Sequence, residues 1–168
     1  MSAGVPTGFV LLFTAIVATV MTAANTKTTT PIKIINTSDK YMSAIDTALG
    51  YSVSFVITET EKDAENAINY LKSNNLGRVT FFPLNIIEPK NIDLNTYNVL
   101  KSESGFIDIA SNLVEYKDKY KNIILNQLGN IIVVEDMKKA NMISKKINHR
   151  YRIVTLDGEI INVGGSLT

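Results

Sequence analysis

Two stretches decide the fold: IINTSDKYMSAIDTALG at residues 34–50 and LVEYKDKYKNIILNQLG at residues 113–129. They align at a constant offset of 79. Ile34 matches Leu113, Ile35 matches Val114, and Asp39-Lys40-Tyr41 matches Asp118-Lys119-Tyr120. Ile45 matches Ile124, and Leu49-Gly50 matches Leu128-Gly129. The likeness continues past small deletions: Val56–Glu59 answers Val133–Asp136, Ala64 answers Ala140, and Arg78-Val79 answers Arg152-Ile153. An internal repeat therefore organises the chain.

Each copy carries the same order of elements. Tyr41, Ala44, Ile45, Ala48 and Leu49 fall on one face of a helix, and Gly50 supplies its end. The second copy uses Tyr120, Ile123, Ile124 and Leu128 before Gly129. A β-branched run follows in each, Val53–Thr58 and Ile131–Glu135, and reads as a strand. The spacing predicts a second helix over 61–73, with Thr60 and Asp63 at capping-box distance and Ala64, Ala67, Ile68 and Leu71 inward. Its counterpart runs 137–147, with Met137, Ala140, Ile143 or Ser144, and Ile147 inward. Strands over 78–84 and 151–156 close the copies, and 159–163 forms a hairpin with the latter across Asp157-Gly158. The expected architecture is α/β (α+β), two-lobed, with an internal pseudo-repeat. Lobe 1 is expected over 32–84, a polar aperiodic connector over 85–104, and lobe 2 over 105–168. Lobes this small gain burial from mutual packing or oligomerisation.

Residues 1–31 stand apart as an apolar, Thr-rich segment. Phe9–Ala24 is uncharged but short of the roughly 20 apolar residues of a spanning helix. Three readings stay open for it: a signal-peptide core, a membrane anchor, or a buried or appended segment.

The composition narrows the chemistry. Lys and Arg total 17 against 16 Asp and Glu, so a globally basic polyanion-coating surface is excluded. Cysteine is absent, which excludes disulfide scaffolds, Cys-ligated zinc, iron–sulfur clusters and thiol nucleophiles. The single histidine, His149, argues against His-rich metal sites and a Ser–His–Asp triad. It precedes Arg150 at a helix end, where a surface role or a polyanion contact fits better than a ligand role. No phosphate-binding loop, dinucleotide fingerprint or nucleophile elbow occurs. Gly165-Ser166 reads as part of a tight Gly-Gly turn, and Glu59/Glu61 and Glu135/Asp136 read as helix-start acids. No catalytic residue, metal, cofactor or small-molecule substrate is expected.

One charge pattern remains. From Met137 to Leu156 there is no acid, while Lys138, Lys139, Lys145, Lys146, Arg150 and Arg152 are basic. Helical spacing places Lys138 with Lys145 and Lys139 with Lys146 on neighbouring stripes. A solvated helix face and a phosphate-backbone contact both account for this.

Four stretches carry a family resemblance: Lys40–Gly50; Asn74-Asn75-Leu76-Gly77-Arg78-Val79-Thr80-Phe81-Phe82-Pro83-Leu84; Gly105–Val114 with Leu128-Gly129-Asn130; and Tyr151–Glu159 with Gly164-Gly165-Ser166-Leu167-Thr168. Together they resemble the hinge domain of the structural maintenance of chromosomes (SMC) family over about residues 32–168. The resemblance implies a non-catalytic homodimerisation module of a chromosome condensation and segregation ATPase. In that family the hinge joins two coiled-coil arms and two hinges meet through sheet edges. Carried over, Gly77, Arg78, Thr80 and Phe81 in the first lobe, and Val154, Thr155, Leu156, Gly158, Gly164 and Gly165 in the second, sit at or near the dimer interface. The resemblance also implies weak, sequence-independent DNA contact through Lys138, Lys139, Lys145, Lys146, Arg150 and Arg152. It implies a cytoplasmic, chromosome-associated protein, with ATP bound by head domains that nothing here matches. No heptad pattern flanks the resembling region and residues 1–31 match nothing in the family, so a fragment, an isolated hinge or a chain with an altered N-terminus is expected. The competing readings are a membrane-tethered or exported α/β interaction module, resting on Phe9–Ala24, and a small nucleotide-binding enzyme.

Overall fold

The computed structural model describes residues 34–168. In chain order the elements are strand β1 (Ile35–Asn36), helix α1 (Asp39–Leu49), a 3-10 turn (Gly50–Ser54), β2 (Val56–Thr58), α2 (Glu61–Ser73), β3 (Phe81–Pro83), α3 (Leu94–Lys101) and β4 (Phe106–Ile109). There follow a 3-10 turn (Ala110–Leu113), β5 (Glu115–Tyr116), a further 3-10 turn (Asp118–Tyr120), α4 (Lys121–Leu128), β6 (Ile131–Val134), α5 (Met137–Lys146), β7 (Arg152–Thr155) and β8 (Ile160–Ile161). The architecture is mixed α/β. Among the described residues one compact unit comprises Ser54–Ile86, and the other Ile34–Val53 with Ile87–Thr168.

The first unit is a βαβ element. β2 and β3 pair in parallel, Val56 opposite Phe81 and Thr58 opposite Pro83. Helix α2 starts on a complete capping box, in which the Thr60 hydroxyl accepts from the Asp63 N–H and the Asp63 carboxylate accepts from the Thr60 N–H. The Asn85 side-chain amide donates to the Glu61 carboxylate and holds its pKa below the ordinary value. Ala64, Ala67 and Leu71 are buried, and Tyr70, Leu76, Val79 and Phe81 pack around Ala67 and Leu71. Alanine on that face lets the helix lie close on the two strands. Ile68, expected inward, is 48% exposed, so the buried stripe is narrower than the periodicity suggests.

The second unit contains a second βαβ element in a larger sheet of order β4-β6-β7-β8. β6 pairs in parallel with β7 and antiparallel with β4, and β8 pairs antiparallel with β7. All four residues of β6 are buried, as expected for a strand covered on both faces. Ala140, Ile143 and Ile147 of the α5 region pack with Ile132, Val134, Ile153 and Ile161, while α1 packs on β7.

The two copies of the repeat meet inside this unit. β1 pairs antiparallel with β5, with Asn36 opposite Glu115, two residues related by the repeat offset itself. The register is that of a local two-fold axis through this pair. The Thr37 hydroxyl extends it by donating to the Leu113 carbonyl at 2.7 Å. The repeat-equivalent helices α1 and α4 then pack on each other. The compact units divide the chain differently from the expected lobe over 32–84: the first helix lies in the unit that holds the second copy, where Ala44, Ile45, Ala48 and Leu49 are buried.

The expected connector is also partly structured. The Asp93 carboxylate accepts from the Thr96 N–H and starts α3, which buries Thr96 and Leu100. The strands are shorter than the sequence runs, since a 3-10 turn precedes β2 and residues 78–80 lie outside β3. No helix of the described residues is long and apolar enough to cross a membrane. Phe9–Ala24, on which anchoring and export rest, lies outside the described residues.

Gly50 and Gly129 are equivalent in the repeat yet serve different ends. Gly50 has φ +49 with open space around it, so its backbone conformation requires glycine. Gly129 has φ −72, but a Cβ there would lie 2.1 Å from the Lys90 carbonyl oxygen. The segment bearing Lys90 is tied down by Lys90 N–H donating to the Leu125 carbonyl and the Asn126 amide donating to the Glu88 carbonyl. Gly50→Ala should cost about 1–3 kcal/mol as backbone strain. Gly129→Ala should cost about 1–3 kcal/mol as overpacking. Urea denaturation measures both. Only Gly129→Ala should speed hydrogen exchange at the Lys90 amide.

Candidate functional site

The sheet of the second unit ends in a hairpin whose outer edge is unpaired among the described residues. Beyond β8 the chain turns through residues 162–166 and pairs back: Ile160 and Thr168 exchange both backbone hydrogen bonds at 2.9 and 3.0 Å. Asn162 N–H donates to the Ser166 carbonyl at 2.8 Å, and Gly165 N–H to the Asn162 carbonyl at 2.9 Å. Antiparallel pairing alternates, so the Leu167 N–H and carbonyl point away from β8. Leu167 and Val163 expose 59% and 65% of their surface. Gly164 has φ +84 and nothing within 4 Å of where a Cβ would stand. Gly165 has φ +95, and its Cβ would lie 3.3 Å from the His149 ring.

The other residues expected at an interface are less uniform. Val154 and Thr155 are buried in β7, between β6 and β8. Leu156 is half-buried, and its N–H donates to the Val134 carbonyl. Gly158 turns inward, where a Cβ would stand 2.8 Å from the hydroxyls of Ser43 and Thr47 on α1. In the first unit Gly77, Arg78 and Thr80 are exposed and Phe81 is half-buried. Gly77 adopts φ +88 with open space beside it. β3 pairs only with β2, so its other edge is unpaired among the described residues.

The basic run divides by its hydrogen bonds. Arg152 points into the protein: its guanidinium donates to the carbonyls of Ala48 and Thr47 at 3.2 and 3.3 Å, capping the end of α1. Burial lowers its pKa, and its Nε has no partner. Its guanidinium is thus engaged within the protein. Lys146 pairs with the Glu103 carboxylate at 2.7 and 2.8 Å. The Lys139 stem covers Gly105, and its Nζ donates to the Ser104 hydroxyl. Arg150 lies 3.4 Å from Asp93 and 5.5 Å from the Tyr151 ring centre. Lys138 and Lys145 are exposed and have no ion pair or hydrogen bond within the described residues. Sequence spacing places these two on one stripe, but the acids that pair with Lys146 and Arg150 lie far away in sequence, at Glu103 and Asp93.

Asp93 is the junction of that network. Its carboxylate accepts from the Thr96 N–H, the Thr96 hydroxyl and the Tyr151 hydroxyl at 3.0, 2.7 and 2.9 Å. These bonds, chiefly those from Thr96, lower its pKa to about 2, with the Arg150 charge a smaller contribution. Among the described residues no cluster of side chains is arranged to hold a metal ion.

A repeated βαβ core with an open C-terminal edge defines a mixed α/β module built by pseudo-symmetry. The chain belongs to the SMC hinge family: residues 32–144 match the model for the flexible hinge domain of SMC proteins. It is 42% identical over 137 residues to the chromosome partition protein Smc of Bacillus subtilis, covering 82% of this chain and 12% of that protein. It is 37% identical over 131 residues to the Smc protein of Methanocaldococcus jannaschii, covering 78% of this chain and 11% of that one. The chain thus spans about an eighth or less of these relatives. Among solved structures, an asymmetric dimer of the Geobacillus stearothermophilus SMC hinge domain superposes with a TM-score of 0.85 at 36% identity, over 91% of this chain and 64% of that one. The Pyrococcus furiosus SMC hinge gives 0.70 at 30% identity, over 94% and 86%.

The Asp93 network gives stability a defined acid limb. A carboxyl whose pKa is depressed by folding contributes stability above its unfolded value, near 4, and loses it as pH falls towards about 2. Urea midpoints of the wild type and Asp93→Asn should differ at neutral pH and converge across that window. A constant difference down to pH 2 would refute the assignment.

Proposed function

We propose that the chain is the homodimerisation hinge of a chromosome condensation and segregation ATPase. Family membership supports this, and the observation that carries it is the free edge at Leu167 beside the exposed Gly164. An unpaired strand edge is a template for pairing, and a second copy satisfies it. The edge around 163–168 of one chain would meet the edge around 77–81 of its partner, where Gly77 and Gly164 leave room for close backbone approach. Leu156 would border this contact, and Gly158 would support it from within by seating the hairpin on α1. The solved Geobacillus stearothermophilus hinge, an asymmetric dimer, supports the same reading. The module is non-catalytic and takes no small-molecule substrate. Coiled-coil arms and ATPase heads would belong to the longer protein, which would act on chromosomes in the cytoplasm.

The 168-residue chain should therefore sediment at twice its mass of 18.5 kDa at tens of micromolar. Gly164→Asn should yield monomers with an unchanged circular dichroism spectrum, because asparagine tolerates positive φ while its side chain occupies the space a partner needs. A wild-type chain that stays monomeric would refute the proposal.

A weak, sequence-independent DNA contact accompanies this reading, supported by the unpaired Lys138 and Lys145. Lys139, Lys146 and Arg150 would contribute only after exchanging their present partners. Two lysines, each releasing about 0.9 counterion on duplex DNA, give a log–log salt slope of about −2 per protomer. Fluorescence anisotropy should return that slope. Lys138→Glu with Lys145→Glu should abolish binding at low salt, and retained affinity would refute the assignment.

A further inference from the structure

We propose that His149 is a positioning residue that sets the C-terminal turn and so the register of the edge offered to a second copy. The role in assembly rests on the dimerisation reading above; the positioning itself does not. Helix α5 ends in a Schellman arrangement, with Asn148 N–H donating to the Lys145 carbonyl and His149 N–H to the Ser144 carbonyl. Asn148 and His149 both adopt positive φ, +54 and +53. Two consecutive left-handed residues other than glycine are strained, and the surroundings must hold them there. The holding contacts are specific. His149 Nδ1 is hydrogen-bonded at 2.7 Å to the hydroxyl of Ser144, a side chain with no exposed surface. The His149 carbonyl accepts from Gly164 N–H at 3.0 Å. The ring fills the space where a Gly165 Cβ would stand, 3.3 Å from Nδ1 and 3.6 Å from the next ring atoms.

His149 therefore links a fixed point inside α5 to two adjacent glycines, its ring lying beside Gly165 and its main-chain carbonyl accepting from Gly164 N–H. The Cβ side of Gly165 faces the ring, and that of Gly164 faces open space. Asn162 and Ser166 close the turn immediately afterwards, and the pairing of Ile160 with Thr168 follows from it. Displacing the ring frees the turn and lets the pairing of residues 166–168 slip, while the buried sheet β6–β7 keeps its own hydrogen bonds.

The test compares wild type, His149→Ala, Ser144→Ala, the double variant and His149→Asn in the 168-residue chain. The readouts are amide exchange by NMR and self-association by sedimentation. His149→Ala should speed exchange at Gly164 roughly tenfold or more with β6 and β7 protection retained, since local opening is separable from global unfolding. It should weaken self-association by about the same factor. His149→Asn should recover most of both, because asparagine tolerates positive φ and its carbonyl can reach Ser144. Ser144→Ala should add nothing in the His149→Ala background if the two act as one unit. Unchanged exchange at Gly164, or an equal loss of protection through β6 and β7, would overturn the proposal. A monomeric wild type with the expected exchange pattern would overturn the dimerisation reading and leave the positioning role standing.

Discussion

The antiparallel pairing of β1 with β5 is the constraint on which the second unit is built. It joins equivalent residues of the two repeat copies, Asn36 and Glu115, so the copies meet about a local two-fold axis. The equivalent helices α1 and α4 must then lie against each other. Once α1 is committed there, other features follow. Arg152 reaches its last carbonyls, and the turn at Gly158 must approach Ser43 and Thr47 without a Cβ. A short strand pair of two residues is weak alone. It acts together with the burial of Ala44, Ile45, Ala48 and Leu49 of α1 and of Ile123, Ile124 and Leu128 of α4, two helices that pack on each other in this register.

Much of this was legible in the sequence, and the limits have physical causes. Helix 61–73 was readable end to end because its start signal, Thr60 with Asp63, is local and its apolar spacing is regular. The repeat gave the order of elements but not which partner each face would find. The first helix carries the same apolar pattern whether it packs on its own copy or on the other, so the lobe boundary could not be read. Helix α3 was missed because only Thr96 and Leu100 are buried in a polar run, and its cap at Asp93 looks like loop chemistry. The burial of Val154 and Thr155 follows from the pairing of β7 at both edges, which a β-branched run alone does not specify.

The basic run shows why a charge count and a charged surface differ. Six positive side chains within residues 137–156 look like one patch in sequence. Folding sends Arg152 inward to cap a helix, sets Lys146 on a carboxylate that is only 13% exposed, and ties Arg150 to the Asp93 network. What remains without a partner is the Lys138–Lys145 stripe. The other cations hold loops: the segment 103–105 is strapped to α5 by Lys139 and Lys146 together. Mutating the whole run would therefore mix a loss of surface charge with a loss of structure.

Adjacent glycines at the C-terminal turn divide two demands that a single residue could not meet. Both need positive φ, which alone would admit asparagine at some cost. Gly165 must also leave room for an imidazole anchored on Ser144, which ties the turn to the interior. Gly164 has no such neighbour among the described residues, so its backbone angle alone accounts for glycine there. Gly50 and Gly129 differ in the same way, one answering to conformation and the other to a crowding carbonyl. A glycine with open space on its Cβ side leaves a surface across which another backbone can approach closely. That places the informative residue of the pair on the outside, and its support, through Gly165 and His149, on the inside.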